Sequence, residues 1–445
     1  MLRRIEVHGF KSLIDFELVL KPGLNVLVGP NGAGKTNVLK FFEFLSDLSE
    51  HPLFEAVSQS GGAGEIFYRR TDGTLHPEIT FEINGHGNFQ RFVRRKNEPE
   101  FPIAYDYSAK INLTENSVFF SKQEVKLAIG RSPPDTSKPD LWVTWEYDID
   151  NKKPWATVNK VDVKRLSNFG PYSPEDRKSL QNALSKDTTL LEHSMVEYLS
   201  FAVPILRIIS SDINSGRSYN INPAKVREAE DIAKKPGIAP DGGGLASTLF
   251  SLGRHGSEGA VPTPSYPFFR YRPFLSAPPE AYEQIQEFSR LVSDNIDRLE
   301  ARPDTIENKN RVYVTFSNDG IENELPISFV SDGTAKWFSL IAAIVTSRSA
   351  FCIEEPENFL HPKLQEQIVG IARALSENSE FERFALMTTH SQTLLNALYP
   401  EEVIVASREG GGTKCRRPSN ASKLDELINR TGFGLGYFYL TDAIE

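Results

Sequence analysis

The stretch Gly29-Pro30-Asn31-Gly32-Ala33-Gly34-Lys35-Thr36 decides the reading of this chain. It is a complete GxxxxGK[ST] run. Apolar Leu24 to Val28 precede it, and Val38, Leu39, Phe41, Phe42 and Leu45 follow at helical spacing. A buried strand, a glycine turn and a helix are the context that separates a phosphate-binding loop from an ordinary turn. Gly29, Gly32 and Gly34 let the backbone turn so that the N–H groups of Asn31 to Lys35 converge on phosphate oxygens, beside the positive end of the helix. Lys35 then reaches the outer phosphates, and the Thr36 hydroxyl is a ligand for Mg²⁺. The sequence therefore implies nucleotide binding.

Working outward, 445 residues give room for two or three domains. Against 50 Lys and Arg stand 59 Asp and Glu, so no global basic field advertises nucleic acid, although local patches could. The two cysteines, Cys352 and Cys415, suggest neither a disulfide framework nor a zinc cluster and point to a reducing, cytoplasmic setting. Met1 to Glu6 lacks the apolar run of a signal peptide, and the longest apolar stretch, Leu340 to Val345, is far too short to span a bilayer. A soluble protein with no membrane partner is expected.

Upstream of the loop, Ile5, Val7, Phe16, Leu18 and Leu20 alternate as two strands hinged at Gly9 to Ser12. Downstream, the helix should run to about Leu48, with Ser58 to Gly64, including Gln59, forming a loop. Strands are expected at Ile66 to Tyr68, Ile79 to Ile83 and Phe89 to Val93. The clusters Arg69-Arg70 and Arg91 with Arg94-Arg95-Lys96 could face a phosphate backbone or a solvated sheet surface. Residues 97–205 announce no ligand. They contain the linker Arg131 to Pro139, a strand at Trp142 to Tyr147 and helical spacing from Glu175 to Leu199, and read as a compact inserted lid or partner-binding subdomain. Pro204 to Ile209 reads as a strand, Leu245 to Leu252 as a helix, Gly253 to Pro279 as a surface loop, and Tyr282 to Leu299 as one amphipathic helix.

A second informative stretch begins at Phe329-Val330-Ser331-Asp332-Gly333-Thr334 and enters a helix through about Thr346. Ser331 and Gly333 at a helix start offer a hydroxyl and open backbone N–H groups, equipment for a terminal phosphate. The run Ala350-Phe351-Cys352-Ile353-Glu354-Glu355 then reads as a buried strand delivering two carboxylates to its carboxyl end, where open α/β sheets bind ligands. Glu354 would bind Mg²⁺, and Glu355 would orient and deprotonate an attacking water. The strand Phe384 to Met387 ends at Thr388-Thr389-His390-Ser391, where His390 could bond the terminal phosphate or that water.

Phosphate loop, Ser-Asp-Gly signature, Glu-Glu pair and histidine, in that order and around an insertion, resemble the ABC-type ATPases of the RecF, SMC and OLD group. Gly9-Phe10-Lys11-Ser12-Leu13, Asn37 after Gly-Lys-Thr, and Glu355-Pro356-Glu357-Asn358-Phe359-Leu360-His361-Pro362 look like that group too. The likeness covers about residues 1–95 and 205–440. Two departures stand out: Glu354 replaces the usual aspartate, and the signature reads Val330-Ser331-Asp332-Gly333, as in the OLD-like branch.

The resemblance implies an α/β, ABC-type P-loop NTPase head carrying an inserted mixed α+β subdomain. Its N-terminal lobe would be 1–96, the insertion 97–205 and the C-terminal lobe 206–445. It also implies ATP and Mg²⁺ as cofactors, Asn37 at the nucleotide, Gln59 as a sensor of the metal, and a homodimer or higher homo-oligomer sandwiching ATP between one subunit's Lys35 and the other's Ser331. The 55 residues after His390 leave no room for the Toprim nuclease of OLD proteins. A separate effector, nuclease or toxin, is therefore expected, as in the ATPase halves of anti-phage systems such as Septu or PARIS. The alternatives are a RecF-like repair factor that clamps DNA through Arg91, Arg94, Arg95, Lys414, Arg416 or Arg417, and, least favoured by the opening motif and the insertion, a transporter subunit.

Overall fold

A computed structural model describes residues 1–88, 102–130, 135–162, 166, 177–200, 203–214, 216–255, 280–347, 350–377 and 383–444. The chain forms two compact units, each discontinuous in sequence. The first comprises 1–217, 376–386 and 401–419; the second comprises 218–375, 387–400 and 420–445.

In the first unit, β1 (Leu2–His8) and β2 (Phe16–Val19) pair antiparallel, and β3 (Gly23–Val28) is buried throughout, as a strand covered on both faces must be. β4 (Glu78–Asn88), β5 (Pro102–Leu113), β6 (Val118–Ile129), β7 (Leu141–Asp148) and β8 (Lys153–Val161) extend the first pair into one antiparallel sheet of order β2-β1-β4-β5-β6-β7-β8. β3 belongs elsewhere, beside the parallel strand Val403–Glu409, which in turn pairs antiparallel with Gly412–Arg416.

The helix Lys35–Glu50 follows the phosphate loop. It lacks a side-chain cap at its start and stops at His51, just before Pro52. Its apolar face is aromatic: the ring of Phe41 meets Phe10 at 5.2 Å edge-on and Phe81 at 5.9 Å, and Phe81 in turn meets Tyr107 at 5.7 Å. All four rings are buried. Each such burial stabilises by about 1.5–3 kcal/mol, so the helix that carries the loop is anchored to the large sheet.

The second unit holds an antiparallel sheet of Glu230–Asp231, Ile296–Asp304, Lys309–Asn318 and Ile321–Pro326. Its central helix, Asp332–Thr346, is buried from Ala335 to Val345. The Trp337 indole donates to the Phe288 carbonyl at 2.8 Å, the partner a buried indole requires. The short strand Ala350–Glu354 runs parallel to Ser218–Tyr219. Among the described residues no helix is long and apolar enough to cross a membrane.

β5 pairs with β4 from Pro102 to Asn112, because Ile103, Tyr105, Tyr107, Ala109 and Ile111 alternate inward in step with Ile79, Phe81 and Ile83. Several expectations are corrected. Pro204 to Ile209 is a 3-10 turn, Pro204–Leu206, entering the helix Arg207–Asn214, since Ile205, Ile208, Ile209 and Ile213 share a helical face and are all buried. The expected helix Tyr282 to Leu299 is Ala281–Ser289 followed by the strand Ile296–Asp304, broken at polar Ser293-Asp294-Asn295. Ser58 to Gly64 is mostly helical, in Leu53–Gln59 and Ala63–Ile66, and Phe67 makes only an isolated bridge to Phe10. The expected strand at 89–93 and the loop from 256 to 279 lie outside the described residues.

Candidate functional site

The first unit holds the phosphate loop. Its shape depends on glycine at two places. Gly34 has φ 97°, and a Cβ there would lie 1.9 Å from Thr413 Oγ1; Gly29 (φ 155°) would place one 2.3 Å from the Ala406 carbonyl. Beneath Gly34, the hydroxyls of Ser12 and Thr413 bond at 2.7 Å, and the Asn37 amide donates to Ser12 Oγ at 2.7 Å. Asn37 thus braces the loop from behind through Ser12, which the opening motif includes, and Ser12 in turn meets Thr413, which no sequence signal marks. Lys35 is buried, its ammonium donating to the carbonyls of Gly29 at 2.9 Å and Pro30 at 3.2 Å. Asn31, Gly32 and Thr36 are exposed, while Ala33 is buried. Gln59 sits at the end of a helix, exposed, and donates to Glu55 at 3.3 Å.

The second unit holds the remaining groups. Ser331 caps the helix Asp332–Thr346, its hydroxyl accepting the Thr334 N–H at 3.2 Å. Arg227 braces the approach, donating to the Val330 carbonyl at 2.7 Å and pairing with Asp332 at 2.6 Å. Gly333 packs so closely that a Cβ would meet the Phe359 carbonyl at 2.5 Å.

After Ala350–Glu354 the backbone turns through two left-handed non-glycine residues, Glu355 (φ 44°) and Phe359 (φ 66°). Each such residue costs about 1–3 kcal/mol, which persists only where the surroundings over-determine the turn. Here they do. The Glu355 N–H donates to the Thr388 carbonyl and hydroxyl, both at 3.2 Å; Asn358 donates to Glu355 Oε2 at 3.1 Å; and His390 Nε2 stands 3.8 Å from Glu355 Oε1. Glu355 and His390, read from separate stretches of sequence, therefore lie side by side. Glu354 receives the Asn220 amide at 3.1 Å.

Three groups in this unit escaped sequence reading. Asn220 comes from a distant segment and no motif marks it. Glu357 was visible only as part of the quoted run, yet its Oε1 accepts from both the Thr389 hydroxyl and the His390 N–H at 2.8 Å, while its Oε2 is buried without a hydrogen-bond partner among the described residues. Lys336, on the signature helix, is 1% exposed and donates to the Glu355 carbonyl at 3.3 Å. Burial pushes its ammonium down to about 8, against the pull of Glu357 and Glu355.

Magnesium keeps several waters and takes one or two carboxylates with phosphate oxygens; the first unit offers the exposed Thr36 hydroxyl and the second the Glu354 carboxylate, each a donor of that type. Among the described residues no cluster of three or more His, Cys, Asp or Glu could hold a metal by itself. Of the cations considered for DNA, Arg91, Arg94 and Arg95 lie outside the described residues. Arg417 is structural, donating to Asn25 and to the Glu401 carbonyl, and Lys414 donates to the Asp15 carbonyl. Arg416 is exposed.

Compared with known proteins, residues 1–220 match the family described as "AAA ATPase domain", and residues 258–396 the one described as "AAA domain, putative AbiEii toxin, Type IV TA system". The DNA replication and repair protein RecF of Renibacterium salmoninarum is 33% identical over 103 residues, 22% of this chain and 25% of the relative. The protein of the same name from Nocardioides sp. is 40% identical over 131 residues, 28% of this chain and 29% of the relative. The chromosome partition protein Smc of Rhodopseudomonas palustris is 30% identical over 88 residues, covering 19% and 7%. The chain thus spans 25% of the length of the first of these relatives. The Smc head domain of Pyrococcus furiosus, with an extended coiled coil and bound to the C-terminal domain of ScpA, is 10% identical, with 96% and 99% covered and a TM-score of 0.45.

Proposed function

We propose that this chain is an ABC-type ATPase of the RecF and SMC group, and that it binds and hydrolyses ATP as a switch acting on a separate partner. The observation that carries hydrolysis is the Glu355 carboxylate, set on a left-handed turn with Asn358 on one oxygen and His390 facing the other. A carboxylate oriented from both sides can hold a water in line and take its proton, and a neighbouring imidazole can donate to the oxygen on which charge develops.

Each remaining group takes one role. Backbone N–H groups of Asn31 to Thr36 bind the triphosphate, and Lys35 exchanges its two carbonyl partners for phosphate oxygens. Thr36 and Glu354 would hold Mg²⁺, which neutralises phosphate charge when bound. Gln59 would join them only by releasing Glu55. Ser331 and Gly333 would serve the nucleotide of a second copy, so that binding closes a homodimer and hydrolysis reopens it. The partner we infer is an effector protein, nuclease or toxin, held until a trigger arrives, in a cytoplasmic anti-phage system. The toxin-related description of the family matched over 258–396 supports that setting.

A second reading, a RecF-like clamp on DNA, is favoured by the RecF relatives and by exposed Arg416. It predicts ATP-dependent, salt-sensitive DNA binding. The deciding experiment is steady-state ATP hydrolysis with light scattering for wild type and Glu355→Gln. The variant should lose turnover and accumulate as an ATP-loaded dimer; a variant that stays monomeric in ATP contradicts the switch. Pull-down of a neighbouring gene's product by the trapped dimer, against capture of duplex DNA, separates the two readings.

A further inference from the structure

We propose that Lys336 is a positioning residue for hydrolysis: from the signature helix it holds the turn that carries Glu355, tying the geometry of that carboxylate to the helix Ser331 caps. This rests on the reading of Glu355 as the base.

The two segments meet at two successive turns of one helix. Gly333 presses on the carbonyl of Phe359, too closely for any side chain at that position. Lys336, three residues on and on the same face, donates to the carbonyl of Glu355, with its ammonium 6.0 Å from the centre of the Phe359 ring. The helix therefore grips both left-handed residues of the turn, one through shape and the other through charge.

An ammonium is a poor choice for mere filling. A methionine would occupy nearly the same volume without the cost of burying a charge, and Lys336 lies in a helix whose other buried residues from Ala335 to Val345 are apolar apart from Ser339. The charge is accounted for by what it faces. The Glu355 carbonyl receives its hydrogen bond, and the carboxylates of Glu355 and Glu357 supply opposite charge. Glu357 then continues the connection to the Thr389 hydroxyl and the main-chain N–H of His390. One buried cation thus supports the turn that presents the base and seats the histidine. A small displacement of the helix start, such as engagement of Ser331 by phosphate, would be felt at Glu355 through a rigid element of five residues.

The test compares the full chain with Lys336→Met, Lys336→Gln and Glu355→Gln. For each, kcat and KM for ATP with Mg²⁺ are measured, together with the Kd of a fluorescent ATP analogue and the thermal midpoint. Lys336→Met should lower kcat by about 10- to 100-fold, the usual effect of slightly misplacing a reacting group, while KM and Kd stay within about twofold of wild type. Lys336→Gln should behave alike, and it decides the matter if the methionine variant does not fold. Wild-type kcat in either folded variant overturns the proposal, as does a rise in KM and Kd that matches the fall in kcat. If Glu355→Gln hydrolyses ATP normally, the reading of the base has failed; if that variant is dead and Lys336→Met is fully active, only the positioning role has failed.

Discussion

The carboxylate of Glu357 accepts the main-chain N–H of His390 at 2.8 Å. With the Thr389 hydroxyl on the same oxygen, it fixes where the strand Phe384–Thr388 releases the chain and hence where the imidazole begins. Replacing Glu357 by alanine should reduce turnover about tenfold or more and cost about 1.5–3 kcal/mol, the range for hydrogen bonds to a charged group. Glutamine, whose amide oxygen still accepts, should recover most of both. Turnover and urea unfolding of the two variants check this; equal loss in both would show that charge, and not acceptance, is what matters there.

Substitutions within the phosphate loop should separate by what lies beside each glycine. Gly34→Ala combines a left-handed φ with a collision against Thr413, whereas Gly32→Ala (φ 80°) meets nothing within 4 Å among the described residues. The Gly32 variant should lose about 1–3 kcal/mol and the Gly34 variant more, with the ATP-induced rise in thermal midpoint abolished in the latter. Urea midpoints that come out equal would place the Thr413 contact in doubt.

The proposed ATP sandwich predicts a particular failure when Ser331 becomes a bulky residue. Ser331→Tyr should leave binding of the fluorescent ATP analogue within about threefold, because the phosphate loop is untouched, yet remove ATP-dependent dimerisation and at least about 90% of hydrolysis. Loss of the cap would itself cost about 1 kcal/mol. Full-speed hydrolysis in this variant, by phosphate release, would refute the shared site.

Asp47 supplies a pH signature. Burial raises its carboxyl from the ordinary range to about 6, against the pull of Arg217 and His51. Between about pH 4 and 6 the folded chain keeps a proton that the unfolded chain has released, so this residue's contribution falls as pH rises through that window. Wild type minus Asp47→Asn, compared by urea midpoint, should therefore decline from pH 4 to pH 7. A flat difference would mean that the carboxyl is solvated.

The segments legible in the sequence were those where one local rule sufficed. Gly29 to Thr36 could be read because strand, glycines and helix are contiguous, and Glu354-Glu355 because four apolar residues lead straight to them. Helix and strand were confused where short apolar runs fit either period, as at Pro204 to Ile209 and at Ile296 to Leu299. The sheet through 102–161 was missed for a different reason: its strands are joined by pairing between segments, and only the register of Ile103 to Ile111 against Ile79 to Ile83 reveals the continuity. Lys336 and Asn220 were invisible because what matters is the carbonyl or carboxylate each meets, from 19 and 134 positions away.

The first unit is assembled from three separated pieces of chain, and this bears on how the protein is made. β3, which leads into the phosphate loop, cannot pair with Val403–Glu409, one of its neighbours in the sheet, until that strand has been synthesised, and the Gly34 floor waits for Thr413. A nascent chain on the ribosome must therefore carry exposed apolar Leu24 to Val28 while several hundred further residues are added. Nucleotide binding should emerge late in translation, and fragments lacking residues 401–419 should depend on chaperones and aggregate.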